Sequence, residues 1–328
     1  MVAGATEHDV IVAGDGPAAA AVVASCRSHG LDVVAVGPGA AWCHTYGMWR
    51  DEAPDLPDDC FSHVVDRTVL RARTERAFDR PYGVIDRRSL REHLAIDTSL
   101  RIGRVDGHLD TGDRVLVDLA DGDALTARWL VDATGHDTGT AWQTAYGCVV
   151  SAADVEGAGY PTDAATVMAW LSDAAPACFV YVVPVEHGWL VEVTSLAAVP
   201  AVDPQRLRRV LIDVLGEAPV VAAEALGRIE TVRIPMGAVP LQESGGRVVR
   251  FGTAGGLAHP ATGYSLAASL ALAGRVAGAM ASGADPIGAL WPPSMRRTRD
   301  LHDGGLDVLL RLDGAGLTDF FEAFASID

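Results

Sequence analysis

An α/β fold, in which a Rossmann-like nucleotide-binding domain is interrupted by a mixed α+β segment, is predicted by three observations. The run Asp9-Val-Ile-Val-Ala-Gly14-Asp15-Gly16-Pro17-Ala-Ala-Ala20 reads as a buried strand, a tight turn and the start of a helix. Two later runs, Trp129-Leu-Val-Asp132-Ala-Thr-Gly135 and Val248-Val-Arg-Phe251-Gly252-Thr-Ala-Gly255-Gly256, also carry an apolar strand into small residues. Between them, from Gly139 to about Arg233, the βαβ rhythm is lost.

Val10 to Ala13 form the first strand. Gly14 and Gly16 permit the turn and close approach to a pyrophosphate, and Ala19 takes the small position where the helix packs on the sheet, so the pattern is G-x-G-x-x-A. Pro17 is tolerated in the first helical turn. The helix runs from Ala18 to His29 and stops at Gly30. Val33 to Val36 give the second strand, which ends Gly37-Pro38-Gly39. Such folds usually place an Asp or Glu there, about 20 residues after the glycines, to hold the adenosine ribose hydroxyls. Either a backbone carbonyl or a water takes that role, or nucleotide binding is weakened or lost. Weakened binding is the preferred reading.

Next comes Trp42-Cys-His-Thr-Tyr46-Gly-Met-Trp49-Arg-Asp51-Glu52. Aromatics this dense either pack a core under a loop or wall a ligand pocket. Tyr82 to Arg88 lead into a helix with Ser89 and Leu90 at its start and Leu94 on its buried side. Arg104 to Leu130 read as an antiparallel meander, with Val115, Val117 and Leu119 on one face and a tight turn at Asp121-Gly122-Asp123. A nucleotide strand, a helix, a meander and a returning strand ending Ala-Thr-Gly suggest FAD rather than a free nicotinamide. The predicted fold is therefore a FAD-binding Rossmann-like domain of the glutathione-reductase type, residues 1–138 and 234–328. Residues 139–233 form the inserted substrate domain. In that insert Phe179 to Pro184 and Trp189 to Leu196 read as strands, and Pro204 to Leu226 as one or two helices burying Leu207, Val210, Leu211, Val214 and Leu215. After the returning glycine turn, His259-Pro260-Ala-Thr-Gly263-Tyr264-Ser265 precedes a long Ala-rich helix, whose N-terminus suits a flavin carbonyl, an anionic flavin or a phosphate. His259 is either a pocket residue or a loop histidine satisfied locally. An amphipathic helix, Ser294 to Leu312, is expected to close the chain.

With 328 residues, 49% hydrophobic and 21% charged, the chain is globular. The formal charge is −17 and all 26 basic residues are Arg. Without lysine there is no Schiff-base chemistry, and the acidity removes the electrostatic drive for nucleic acid and for anionic membranes. Peripheral membrane association is the most that is expected. Cys26, Cys43, Cys60, Cys148 and Cys178 are scattered, without a C-x-x-C pair, and no metal ligand set is assigned. Free thiols, no visible export signal and no apolar run of about 18 residues predict a cytoplasmic protein. The oligomeric state is left open.

Several blocks resemble the FAD-dependent lycopene cyclases of plants and bacteria. The aromatic block W-x-x-x-Y-G-x-W-x-D-E is matched by Trp42, Tyr46, Gly47, Trp49, Asp51 and Glu52, and I-P-M-G by Ile234 to Gly237. The G-T-A-G and H-P-x-T-G-Y elements are matched by Gly252 to Gly255 and His259 to Tyr264. L-W-P with an Arg cluster is matched by Leu290 to Pro292 and Arg296 to Arg299. The motif L-E-E-T appears as Val191-Glu192-Val193-Thr194. The departures are Val193 for the second glutamate, Met168-Ala169-Trp170 for M-D-W, and Gly37 for the strand-ending acid. The chain also stops at Asp328, where members commonly continue with a hydrophobic segment, so a shortened bacterial homologue with a shorter or more soluble substrate is expected.

The resemblance implies cyclisation of a polyene or isoprenoid without net redox change. It also implies reduced FAD, which in the family supplies negative charge beside the cation, with NAD(P)H as reductant. An alkene is a poor base, so a carboxyl acid must be kept protonated by desolvation. Glu192 is the candidate acid; alternation places it with Leu190 and Thr194, opposite Trp189, Val191 and Val193. Asp51 and Glu52 are second candidates, as base or cation-stabilising groups, against a purely structural role. The expected flavin site comprises Gly14, Gly16, Ala19, Arg87, Asp132, Gly135, Thr253, Gly255, Pro260, Gly263 and Tyr264. The expected pocket comprises Trp42, Tyr46, Trp49, Trp170 and His259. Two alternatives stand beside the cyclase: a redox flavoenzyme, either prenyl reductase or monooxygenase, and a cofactor-free acid catalyst or binding protein that has lost FAD.

Overall fold

The structure, a computed structural model, describes residues 6–171, 177–237 and 239–326. In chain order the first elements are β1 (Thr6–Ala13), α1 (Pro17–Ser28), β2 (Val33–Gly37), β3 (Gly47–Trp49), β4 (Phe61–Val65), β5 (Thr68–Arg71), β6 (Glu75–Phe78), β7 (Tyr82–Ile85) and α2 (Arg87–Leu94). There follow β8 (Leu100–Ile102), β9 (Val105–Asp110), β10 (Val115–Leu119), β11 (Ala124–Asp132), β12 (Ala141–Val150), α3 (Ala152–Gly157), β13 (Ala165–Leu171), β14 (Cys178–Val185) and β15 (Gly188–Ser195). Last come α4 (Pro204–Leu215), α5 (Glu217–Ala225), β16 (Ile229–Met236), β17 (Val248–Arg250), α6 (Leu266–Ser282), α7 (Pro286–Leu290), α8 (Pro293–Leu309) and α9 (Gly314–Ala325). The chain divides into two units: Met1–Cys43, Arg87–Asp137 and Ala238–Leu301; and His44–Asp86, Thr138–Gly237 and His302–Asp328.

In the first unit one sheet runs β8-β2-β1-β11-β10-β9, with β17 beside the C-terminal half of β11. β1 lies parallel between β2 and β11, and strands covered on both faces need apolar residues throughout. Val10, Ile11 and Val12 are accordingly fully buried. The nucleotide turn forms as read: Gly14 has φ +112°, and α1 begins at Pro17 and buries Ala19, Ala20, Val22 and Val23. The meander is β9-β10-β11, antiparallel, turning through Gly122 at φ +90°.

The second unit holds a seven-stranded sheet, β16-β12-β15-β14-β13-β5-β6, and a small sheet, β3-β7-β4. Alternation in β15 divides its side chains between two cores. Val191 and Val193 join Cys148, Val180, Leu207 and Leu211 under α4, while Leu190 meets Tyr82, Val84 and Val183. The helical stretch from Pro204 is two helices, broken at Gly216 with φ +83°.

This unit takes in more of the chain than the expected insert at 139–233. β5 pairs parallel with β13, and β3, β4 and β7 make the small sheet, which ties 44–86 to it. At the other end, the closing helix expected over Ser294–Leu312 is followed by a second one. α9 buries Leu317 and Phe321 beside Trp170 and Leu196. Its Gly314 and Gly316 lie in the first turn, where Asp313 accepts from the Gly316 N–H at 2.8 Å. No described helix is long and apolar enough to cross a membrane, and the five cysteines are free thiols.

Candidate active site

β12 lies between β15 and β16 and sets Gly147 opposite Glu192 on one side and opposite Glu230 on the other. Tyr181 of β14 faces Glu192 from its far side. Directly opposite residues point to the same face, so Tyr181, Glu192 and Glu230 form one row, interrupted by a glycine. Gly147 is needed there. A Cβ at that position would stand 2.9 Å from Glu192 Cβ and 3.0 Å from Leu190 Cδ1.

The segment leading into β3 touches both ends of this row. Thr45 donates its backbone N–H (2.8 Å) and hydroxyl (2.7 Å) to Glu230, and His44 Nδ1 lies 3.6 Å from the same carboxyl. Two residues on, Gly47 packs against the phenols of Tyr82 and Tyr181, whose oxygens are 3.1 Å apart; a Cβ at 47 would collide with both. Between these ends Glu192 Oε1 accepts from the Thr194 hydroxyl at 2.8 Å.

The two carboxyls are driven in opposite directions. Glu192 keeps partial solvent exposure, yet the protein around its carboxyl desolvates it enough to push its pKa up to about 7. The Thr194 hydrogen bond and His44 oppose that rise, and the charge of Glu230 adds to it. For Glu230, burial opposes ionisation, but His44 and the two Thr45 bonds outweigh it and hold the pKa below the usual carboxylate value. A protonated and an ionised carboxyl on one face is an arrangement suited to acid–base work. The sequence reading missed Glu230, His44 and Thr45. The alternation of Ile229-Glu-Thr-Val-Arg-Ile marks a strand, but only the pairing through β12 shows which neighbour Glu230 has.

Other sequence-predicted residues of this unit have partners of their own. Asp51, on a 3-10 turn at Arg50–Glu52, binds Arg80 through two nitrogens, with Nε and Nη2 each at 2.9 Å; those hydrogen bonds depress its pKa. Burial raises the pKa of Glu52, which lies 3.8 Å from Arg80. Among the described residues no hydrogen bond or ion pair joins either one to Glu192 or Glu230. Trp49 stacks edge-on with Tyr82 at 5.3 Å and lies under Arg80. The Tyr46 carbonyl accepts from Ile85 N–H. Trp170 is buried against Phe321, with its indole N–H on Thr318 at 2.9 Å.

The first unit carries the glycine turn expected to cradle a nucleotide. A Cβ on Gly14 would collide with the Ala133 carbonyl, whereas one on Gly16 would meet nothing within 4 Å. Gly14 is thus fixed by packing, and Gly16 leaves open space at the N-terminus of α1. Ala19 is fully buried. These features fit a pyrophosphate approaching free N–H groups. Asp132 Oδ1 accepts from the Thr134 N–H and hydroxyl, next to Gly135 at φ +94°. Gly255 packs on the Arg250 backbone, and the Thr253 hydroxyl is 3.8 Å from where a Gly135 Cβ would be. The His259 carbonyl accepts from Gly263, and its N–H donates to the Tyr264 carbonyl, which folds the loop holding Pro260 ahead of α6. Arg299, unremarked within its Arg cluster, is buried and ties the Gly256 and Val239 carbonyls. Arg87 donates to the Cys43 carbonyl at 2.6 Å, and Trp42 donates to the Asp15 carbonyl at 2.8 Å. Trp42, expected in a substrate pocket, therefore braces the nucleotide turn.

The family model described as lycopene cyclase protein matches residues 9–328. The chloroplastic lycopene beta cyclase of an Oncidium hybrid cultivar is 29% identical, over 98% of this chain and 75% of its own length. Klebsiella pneumoniae HpxO complexed with FAD and uric acid has a TM-score of 0.71 at 17% identity, covering 97% of this chain and 93% of that one. A geranylgeranyl bacteriochlorophyll reductase-like protein from Thermoplasma acidophilum has a TM-score of 0.69 at 16% identity, covering 99% and 93%. The fold is that of the FAD-dependent monooxygenases and geranylgeranyl reductase-like flavoproteins, as the strand and glycine pattern predicts.

Proposed function

The chain belongs to the lycopene cyclase family, and from that premise we propose that it is a non-redox cyclase that protonates a carotenoid-like polyene and closes a ring in it. The observation that carries this reading is Glu192, a carboxyl whose pKa burial raises to about 7, in one row with an ionised neighbour. A carboxyl of ordinary pKa would be almost wholly ionised at neutral pH and could not donate.

The steps balance without electron transfer. Glu192 gives its proton to a terminal alkene carbon, and the electron pair of a neighbouring alkene attacks the resulting cation to form the ring bond. A base then removes a proton from a carbon beside the new cationic centre, so the product is an isomer of the substrate. Glu230, held ionised by Thr45 and His44, opposes ionisation of Glu192 and adds negative charge to the row. Asp51 is committed to Arg80, which leaves Glu52, with its raised pKa, as the better placed of the two for proton handling. FAD, if bound in reduced form with NAD(P)H as reductant, would supply negative charge to stabilise a cation. Gly14, Gly16, Ala19 and the Thr253–Tyr264 loop would hold it.

The test is anaerobic incubation with lycopene and with shorter polyenes, in the presence of reduced FAD. A product of unchanged mass with fewer acyclic ends supports the proposal. Stoichiometric NAD(P)H oxidation with a reduced or oxygenated product would replace it with a redox flavoenzyme.

A further inference from the structure

β2 ends at Gly37, where this fold ordinarily carries the acid that accepts the adenosine ribose hydroxyls. The backbone does not require that glycine, because Gly37 lies outside the left-handed region. The space does. A Cβ at Gly37 would stand 2.6 Å from Asp15 Cβ and 2.7 Å from Asp15 Cγ, so the Asp15 side chain already fills the place from which a residue-37 side chain would start.

Asp15 comes from the turn itself, between Gly14 and Gly16, and is only 8% exposed. Its Oδ2 accepts the Gly39 N–H at 2.7 Å, which anchors the carboxyl on the loop just beyond β2. Among the described residues its Oδ1 has no hydrogen-bond partner. That oxygen is not sealed from solvent, so a donor arriving from outside the protein can reach it. The surrounding loop is braced: Trp42 donates to the Asp15 carbonyl, and Arg91, held by Asp97, donates to the Ala40 carbonyl. In the x position of a G-x-G turn a carboxyl would repel a pyrophosphate, but this one is directed to the strand end instead.

We propose that Asp15 is a transposed ribose acceptor: it supplies from the turn the carboxylate that β2 lacks and accepts the adenosine ribose hydroxyls of FAD. This rests on the reading that the first unit takes FAD. Gly37 is then the partner of that transposition, and it does not mark a lost nucleotide site.

The test is a flavin titration of the full chain, freed of any flavin it carries, followed by fluorescence and calorimetry, with ADP and 2′,3′-dideoxy-ADP as competitors. Asp15→Asn keeps an acceptor for Gly39 but loses the carboxylate, and is expected to weaken FAD by about tenfold or more. Wild type is expected to prefer ADP over the dideoxy analogue, and the Asn variant to lose that preference. Gly37→Glu alone should lower thermal stability, since it collides with Asp15. Asp15→Gly combined with Gly37→Glu is expected to regain FAD affinity to within about threefold of wild type. Unchanged FAD affinity in Asp15→Asn, or no recovery in a folded double variant, would overturn the proposal. A wild-type chain that binds neither FAD nor ADP would overturn the flavin reading itself, before any variant is compared.

Discussion

At the scale of single residues the account depends on two glutamates two strand positions apart in the row, with Gly147 between them. Glu192 has its pKa raised from 4.5 to about 7, so it binds a proton more tightly in the folded than in the unfolded chain. Stability from this group is present below about pH 4.5 and is lost as the pH rises towards 7. Glu192→Gln removes that loss. In urea unfolding it should be the more stable protein at pH 8, by on the order of 3 kcal/mol, and no more stable than wild type at pH 4. Activity follows the same group. The rate should fall as pH rises through about 7, and Glu230→Gln should move that limb to lower pH, because the like charge that raises the Glu192 pKa is gone. A profile unmoved by Glu230→Gln would detach Glu230 from the acid. The sequence exposed Glu192 through its motif and its strand alternation. It could not expose Glu230, which lies 38 positions further on and meets Glu192 only because β12 separates β15 from β16.

At the scale of elements the site is held by what lies on either side of β15. Leu211 of α4 is fully buried against Val191 and Val193, and Leu211→Ala should cost about 2–5 kcal/mol in chemical denaturation. Gly47 packs on the phenols of Tyr82 and Tyr181, so Gly47→Ala should cost about 1–3 kcal/mol by the same measurement. Elements with strong local signals were legible in the sequence: β1, α1, the β9-β10-β11 meander and the helices α4 and α6. β3 to β7 were not, because short strands with few alternating apolar residues depend on partners remote in the chain, as β5 does on β13. α9 was hidden by two glycines whose helical place is secured by the Asp313 cap and by burial of Phe321.

At the scale of the whole molecule, the family and the flavoprotein fold were both legible, since their blocks run along nearly the whole chain and the family match covers residues 9–328. The partition of the chain was less so: 44–86 belongs to the second unit through strand pairings that no local pattern announces. A chain working as a non-redox cyclase should hold FAD yet oxidise no stoichiometric NAD(P)H while its product accumulates. The most direct measurement is anaerobic turnover of lycopene in D2O with reduced FAD, for wild type and Glu192→Gln, with product mass read by mass spectrometry. The account predicts that wild type forms a cyclic isomer gaining one deuterium per ring, and that a folded Glu192→Gln variant is slower by about 10²- to 10⁴-fold. Full turnover by that variant, or a cyclic product without deuterium, would contradict it.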